Sequence, residues 1–258
     1  SRRMPRASSR RAAIEMACAT FRDTIFPRHA LVGSFSGNVA HGYATGFLAH
    51  DLDPKVFDPR FQIRRTRDGW SGRYFNQVDD NPGMRRSALF QNLFAYRNSE
   101  AGAIFANMGH LKVVNFVSAA NPSGLQSHMY KAEQWGSDAN GWNAPLIADS
   151  FFMGGVLPAT GYGCGLAGPV SSWLTVRNTR FHGFPSGSAA ICACQLCDGL
   201  KGGQEMRTTQ LTFSDVTTRV RFRHHFEAII SDMDGSLTGT AGGWAHALAP
   251  DGTIGPFP

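Results

Sequence analysis

Long apolar runs are missing from this 258-residue chain: nothing approaches the ~18–20 consecutive apolar residues of a membrane-spanning helix. Nor does any basic stretch followed by an apolar one resemble a signal peptide. Charged residues make up only 17% of the chain, and Gly and Asn corners recur too often to leave room for helices of ordinary length. An Asn-x-Ser/Thr glycosylation sequon is also lacking, because Asn121 is followed by Pro122. Zinc-finger chemistry lacks its second half, since Cys192-x-Cys194-x-x-Cys197 has no further Cys or His pair at the required spacing. What is present is 42% hydrophobic residues with 29 Gly and 19 Phe, a balance that suits many strands and many turns and argues against disorder.

Residues 89–124 repeat themselves. Phe90-Gln-Asn92-Leu-Phe94 runs to Asn98 and Gly102, and Val113-Val-Asn115-Phe-Val117 runs to Asn121 and Gly124. Asn92 to Asn115 and Asn98 to Asn121 are both steps of 23 residues. A fixed period of this size marks a solenoid, whose single unit cannot bury its own apolar face. Phe94, Val117, Phe151, Phe181 and Phe213 extend the pattern at spacings of 23, 34, 30 and 32 residues, the longer gaps needing loops at corners. The expected fold is all-β, a right-handed parallel β-helix whose coils stack at the ~4.8 Å strand spacing. Asn92 and Asn115 are either partners in a side-chain ladder between coils or residues that tolerate a left-handed bend.

The expected organisation is a basic arm or cap over 1–27, a β-helix over 28–240 and a tail over 241–258. Insertions interrupt the solenoid near 51–87 and 130–143. The abrupt start at Ser1-Arg-Arg suggests a piece of a longer protein. Net charge is +6, with arginines crowded at 2, 3, 6, 10 and 11, at 64, 65 and 67, and at 219, 221 and 223. These clusters form no recognisable nucleic-acid module, so solvated arginines or contacts to acidic glycans are expected, and no nucleic acid. Among five cysteines, Cys164 with Cys192, Cys194 and Cys197 reads as a disulfide cluster in preference to a metal site. Disulfides imply an oxidising compartment.

Gly37-Asn-Val-Ala-His-Gly42, Asn115-Phe-Val-Ser-Ala-Ala-Asn-Pro122, Thr209-Gln-Leu-Thr-Phe213 and above all Asp232-Met-Asp-Gly-Ser-Leu-Thr-Gly239 resemble the parallel β-helix region of the fibrocystin and fibrocystin-like family. The same region occurs in the cell-surface (transmembrane protein 2) and cell-migration-inducing hyaluronidases. The resemblance runs from about Gly33 to Gly239 and implies a module of a large extracellular or membrane-tethered protein, in some members ciliary. Hyaluronan cleavage in the family is associated with a more N-terminal part, so no catalytic residue carries over.

Asp232-Met-Asp234-Gly-Ser236 also resembles the aspartyl nucleophile motif of haloacid-dehalogenase-type phosphatases, with Asp232 as nucleophile and Asp234 as acid. That fold needs a Rossmann-like sheet after the motif, which the 24 residues beyond Asp234 do not supply. Two readings remain for Asp232, Asp234 and Ser236: the start of a calcium loop, with Asp251 approaching late, or a polar turn bonding its own backbone. No other cofactor is expected. His224 and His225 are adjacent and point to opposite faces of a strand. His50, His110, His128 and His182 lie near expected corners, in solvent or structural roles. Glu100, Glu133, Asp138 and Asp149 are the acids from which a glycosidase pair could come. Trp70, Tyr74, Trp135 and Trp142, in the insertions, are the candidates for glycan contact, or else lids over the core. The function expected is a non-catalytic extracellular β-helix module binding glycans or neighbouring proteins. A hyaluronidase-like polysaccharide-degrading enzyme is the alternative.

Overall fold

The computed structural model describes residues 35–50, 77–78, 85–86, 88–106, 111–128, 145–155, 163–169, 174–193, 205–222 and 229–245. These residues form strands and turns with no helix among them. In chain order the strands are β1 (Phe35–Ser36), β2 (Val39–His41), β3 (Thr45–His50), β4 (Gln77–Val78), β5 (Arg85–Arg86), β6 (Ala88–Tyr96) and β7 (Ala101–Ala106). They continue with β8 (Leu111–Ala119), β9 (Ser123–His128), β10 (Leu146–Ala148), β11 (Phe151–Met153), β12 (Gly163–Ala167), β13 (Leu174–Arg177) and β14 (Arg180–Phe184). The last are β15 (Ser188–Cys192), β16 (Glu205–Thr209), β17 (Thr212–Val216), β18 (Val220–Arg221), β19 (Ile229–Asp232) and β20 (Gly243–Ala245).

The pairing makes these strands a coil. One face runs β1-β6-β8-β10-β13-β16-β19, the next β2-β6-β8-β11-β14-β17, and the third β3-β7-β9-β12-β15-β18. Every pairing within the three faces is parallel. Strands β6 and β8 are long enough to turn the corner between the first two faces, so those faces form one bent sheet. This is a parallel β-helix solenoid, as the 23-residue period requires.

Three inward columns fill it. Phe90, Val113, Ile147, Val176 and Thr208 line the first face, and Ala103, Leu125, Leu166, Ile191 and Val220 the third. On the second face Phe152, Phe181 and Phe213 stack, with centroids 5.3 and 5.4 Å apart and planes within 12°. The apolar area thereby taken from water, worth about 1.5–3 kcal/mol for each large side chain, is what a single coil cannot achieve alone. At the start of the third face the interior narrows to a column of Gly46, Gly102, Gly124 and Gly165. A Cβ at Gly46 or Gly102 would lie 2.6 Å from the carbonyl oxygen of the next glycine below.

The expected aromatic column needs one correction. Phe94, Val117 and Phe151 are in register, but Phe151 pairs with Arg180, and Phe181 pairs with its neighbour Phe152. Strand alternation sends Phe151 outward and Phe152 inward, and the sequence spacing alone picked the wrong ring. Cys164 and Cys192 form a disulfide between neighbouring coils, with Cα atoms 5.8 Å apart; Cys194 and Cys197 lie outside the described residues. Within the 51–87 insertion, β4 and β5 pair antiparallel. β20, in the span expected to be tail, pairs antiparallel with β19 and covers its open edge. The 1–27 arm and the 130–143 insertion are outside the described residues.

Candidate functional site

The corner between the first and second faces gathers the most regular exposed chemistry. Asn92, Asn115, Asp149, Asn178 and Gln210 occupy one register position in five successive coils, each in the left-handed region at φ 54°, 53°, 53°, 45° and 56°. Such a φ costs an ordinary L-residue roughly 1–2 kcal/mol, and Asn or Asp offsets part of it by bonding locally. Here the bonds run between coils. The Asn115 amide donates to Asn92 Oδ1 at 2.8 Å, Asn92 donates to Ser36 Oγ at 3.1 Å, and Asn178 donates to Asp149 Oδ1 at 2.6 Å. Both readings of Asn92 and Asn115 therefore hold at once: they bend the chain and form a ladder.

Two residues beyond this corner, the outward column runs Val39, Phe94, Val117, Phe151, Arg180 and Thr212. Val39 is 61% exposed and Phe94 37%. Beside Phe94, the outward Tyr96 ring stacks on Phe94 and on His41 at 5.0 and 4.6 Å. Between the two columns lie successive shallow depressions. One, of about 330 Å³, is lined by Asn92, Phe94, Asn115 and Val117; the other, of about 380 Å³, by Asp149, Phe151, Asn178 and Arg180.

A second, buried asparagine pair lies at the far end of the second face. Asn98 and Asn121 are 2% and 5% exposed, and Asn121 Oδ1 accepts from both the backbone N–H and the side-chain amide of Asn98. The sequence displayed their 23-residue step without revealing that this pair, rather than Asn92 and Asn115, is the internal one.

The Asp232–Gly239 turn is a cap. Asp232 continues the inward column of the first face below Thr208 and is fully buried. Its Oδ2 accepts from the Leu237 and Thr238 N–H groups and the Thr238 hydroxyl at 3.0, 2.7 and 2.8 Å. Its Oδ1 is buried with no hydrogen-bond partner among the described residues. Asp234 accepts from the Gln210 N–H at 2.7 Å and from Ser236, while the Ser236 hydroxyl accepts from the Leu211 N–H at 2.9 Å. Burial alone would raise the Asp234 pKa; hydrogen bonds from Ser236, Gln210 and Thr209 outweigh it and hold the carboxyl below its ordinary value. These bonds are those of the polar-turn reading. A calcium ion needs six to eight oxygens, and three of the four carboxylate oxygens here already accept from protein donors. Among the described residues no group of three His, Cys, Asp or Glu side chains comes together to hold a metal. Asp251 is outside those residues. A coil of a β-helix is also not the Rossmann-like setting the phosphatase motif requires.

The remaining candidates separate. Glu100 and Asp149 sit at different corners, Glu100 before β7 and Asp149 between β10 and β11, so they do not form a pair across one site. Glu133, Asp138, Trp70, Tyr74, Trp135, Trp142, His110, His224 and His225 lie outside the described residues, while His50 and His128 fall within β3 and β9. His182 Nδ1 is 2.9 Å from Ser214 Oγ and 3.4 Å from Asp215 Oδ2. Both oxygens meet one ring nitrogen, whereas a nucleophile relay needs one on each. Arg219 packs over the Phe213 ring at 5.0 Å and donates to the Leu237 carbonyl, and Arg221 donates to the Gly187 carbonyl, so both are structural.

Fold and corner together define a class, the parallel β-helix solenoid with an asparagine-lined edge. Within that class the chain resembles the fibrocystins. It is 34% identical to mouse fibrocystin over 175 residues, 64% of this chain. To fibrocystin-L it is 27% identical over 180 residues in the mouse protein and 28% over 181 residues in the human one, 65% of this chain in each case. The chain spans about 4% of the length of these relatives. No family model matches it.

Proposed function

We propose that this chain is a non-catalytic, fibrocystin-like β-helix module of an extracellular or cell-surface protein, presenting a rigid face to glycans or neighbouring proteins. The observation that carries it is the corner ladder, where stacked coils hold amides, a carboxylate and exposed rings at fixed rung spacing. A surface ordered by the backbone itself binds without first paying to order its side chains. The Cys164–Cys192 disulfide supports an oxidising compartment. No helix among the described residues is long and apolar enough to cross a membrane; a membrane anchor elsewhere in the parent and a ciliary location are the finer parts of this proposal.

The test is incubation of the purified chain with hyaluronan and a panel of acidic polysaccharides. Retention of glycan with unchanged polymer length is the expected result. Shortened product, lost on the D149N substitution, would replace this reading with that of a polysaccharide-degrading, hyaluronidase-like enzyme.

A further inference from the structure

Resting on that reading, we infer that the corner groove is the binding site and that its ligand is an extended polysaccharide bearing uronic-acid carboxylates, lying along the solenoid axis. The corner positions Asn92, Asn115, Asp149 and Asn178 belong to four successive coils, so they span about 14 Å at the ~4.8 Å strand spacing. That is room for a short run of sugars, each advancing by close to one rung. Each amide has two N–H donors and two lone pairs on its oxygen, and the one or two ladder bonds each makes use only part of this capacity. These residues line the depressions, and the remaining capacity, donor and acceptor together, matches the vicinal hydroxyls of a sugar.

The opposite wall supplies the other two contacts a uronic acid needs. Phe94 and Phe151 offer apolar ring surface to the C–H face of a pyranose. In the next coil the same column presents Arg180, exposed and lining the same depression as Asp149 and Asn178. Its guanidinium pairs with no carboxylate among the described residues. An Arg fork is built for bidentate recognition of carboxylate, and it stands where a chain laid on the two rings would next arrive. Asp149, held by the Asn178 amide, accepts sugar hydroxyls beside it.

The experiment measures binding of oligogalacturonate, its neutral methyl ester and a neutral gluco-oligosaccharide to the chain and to its R180Q and F151A variants, with thermal melts as folding controls. The acid oligomer is expected to bind, R180Q and F151A each to weaken it by about ten-fold, and R180Q to bind acid and ester alike. An R180N substitution tested in parallel keeps the result readable if one variant folds poorly. Oligogalacturonate binding that neither arginine variant changes would overturn this site while leaving glycan binding in place. If the unaltered chain retains no glycan at all, the glycan half of the proposed function falls as well.

Discussion

Asn98 and Asn121 lie one above the other inside the coil, and the Oδ1 atom of Asn121 takes two N–H groups from Asn98 at 2.9 and 3.0 Å. Asn121 in turn donates to the Ala95 carbonyl and the Ser118 hydroxyl at 2.9 and 2.8 Å. One amide thus satisfies polar groups in two neighbouring coils, all shielded from water. Asn121→Ala would leave the buried Asn98 N–H without its acceptor and remove the side-chain donor to the Ala95 carbonyl. A loss of about 2–4 kcal/mol is expected by urea denaturation; a loss below about 0.5 kcal/mol would show that water reaches these groups.

At Asn115 the bend and the ladder separate by substitution. Glycine takes φ 53° without strain, so Asn115→Gly forfeits the bond to Asn92 and little else, about 0.5–1 kcal/mol. Asn115→Ala keeps a Cβ in the left-handed region without the asparagine's compensating bonds, and is expected to cost about 1 kcal/mol more than the glycine variant. Equal losses in the two variants would mean that the conformation contributes nothing.

Acid should loosen the cap at Asp234. Its pKa is lowered in the fold, so between that value and the ordinary 3.8 the unfolded chain binds more protons. Its contribution is therefore complete above the ordinary carboxylate range and disappears as pH falls through the lowered value. Melting temperatures followed from pH 6 down to about pH 2 are expected to fall less steeply in Asp234→Asn than in the unaltered chain.

The Cys164–Cys192 bond closes a loop with a sequence separation of 28. Its removal by Cys192→Ser is expected to cost about 3.5 kcal/mol in the chain-entropy account. Reductant should lower the stability of the unaltered chain by at least this amount, and by less in the variant.

Calcium at millimolar concentration is expected to leave the melting temperature unchanged, because three of the four Asp232 and Asp234 carboxylate oxygens are engaged by Leu237, Thr238, Gln210 and Ser236. Asp232→Ala, by contrast, strips the Leu237 and Thr238 N–H groups of their acceptor and should lower it by several degrees. A calcium-dependent rise abolished by Asp232→Ala would establish the metal reading in place of the polar turn.

The fold was legible where coils follow one another bare. Between Asn92 and Asn115 nothing is inserted, so the period is visible to the eye. From Asn115 onward, loops of unequal length break the count, and chemistry does not restore it: Asp149, Asn178 and Gln210 share a backbone conformation but not an identity. What the corner demands is a positive φ, which several residues meet, so the column has no letter pattern. The Phe151–Phe152 ambiguity is of the same kind. Two adjacent rings are equally apolar on paper, and only strand alternation tells the buried one from the one facing solvent. At the cap the polar turn was legible in Asp232, Asp234 and Ser236, but not the amides it would take from the neighbouring coil, since Gln210 and Leu211 lie 24 and 25 residues from Asp234 and Ser236.

That cap has a consequence for how many copies behave together. Stacked parallel strands end in a row of open backbone groups that any passing strand can extend, the route to fibres. Here β20 runs backwards along β19, and Asp234 and Ser236 take the amides of Gln210 and Leu211 just beside it. At this margin β20 takes the backbone positions of β19 that a further parallel strand would otherwise extend, so on the first face the next strand is antiparallel and the register of the coil is not continued.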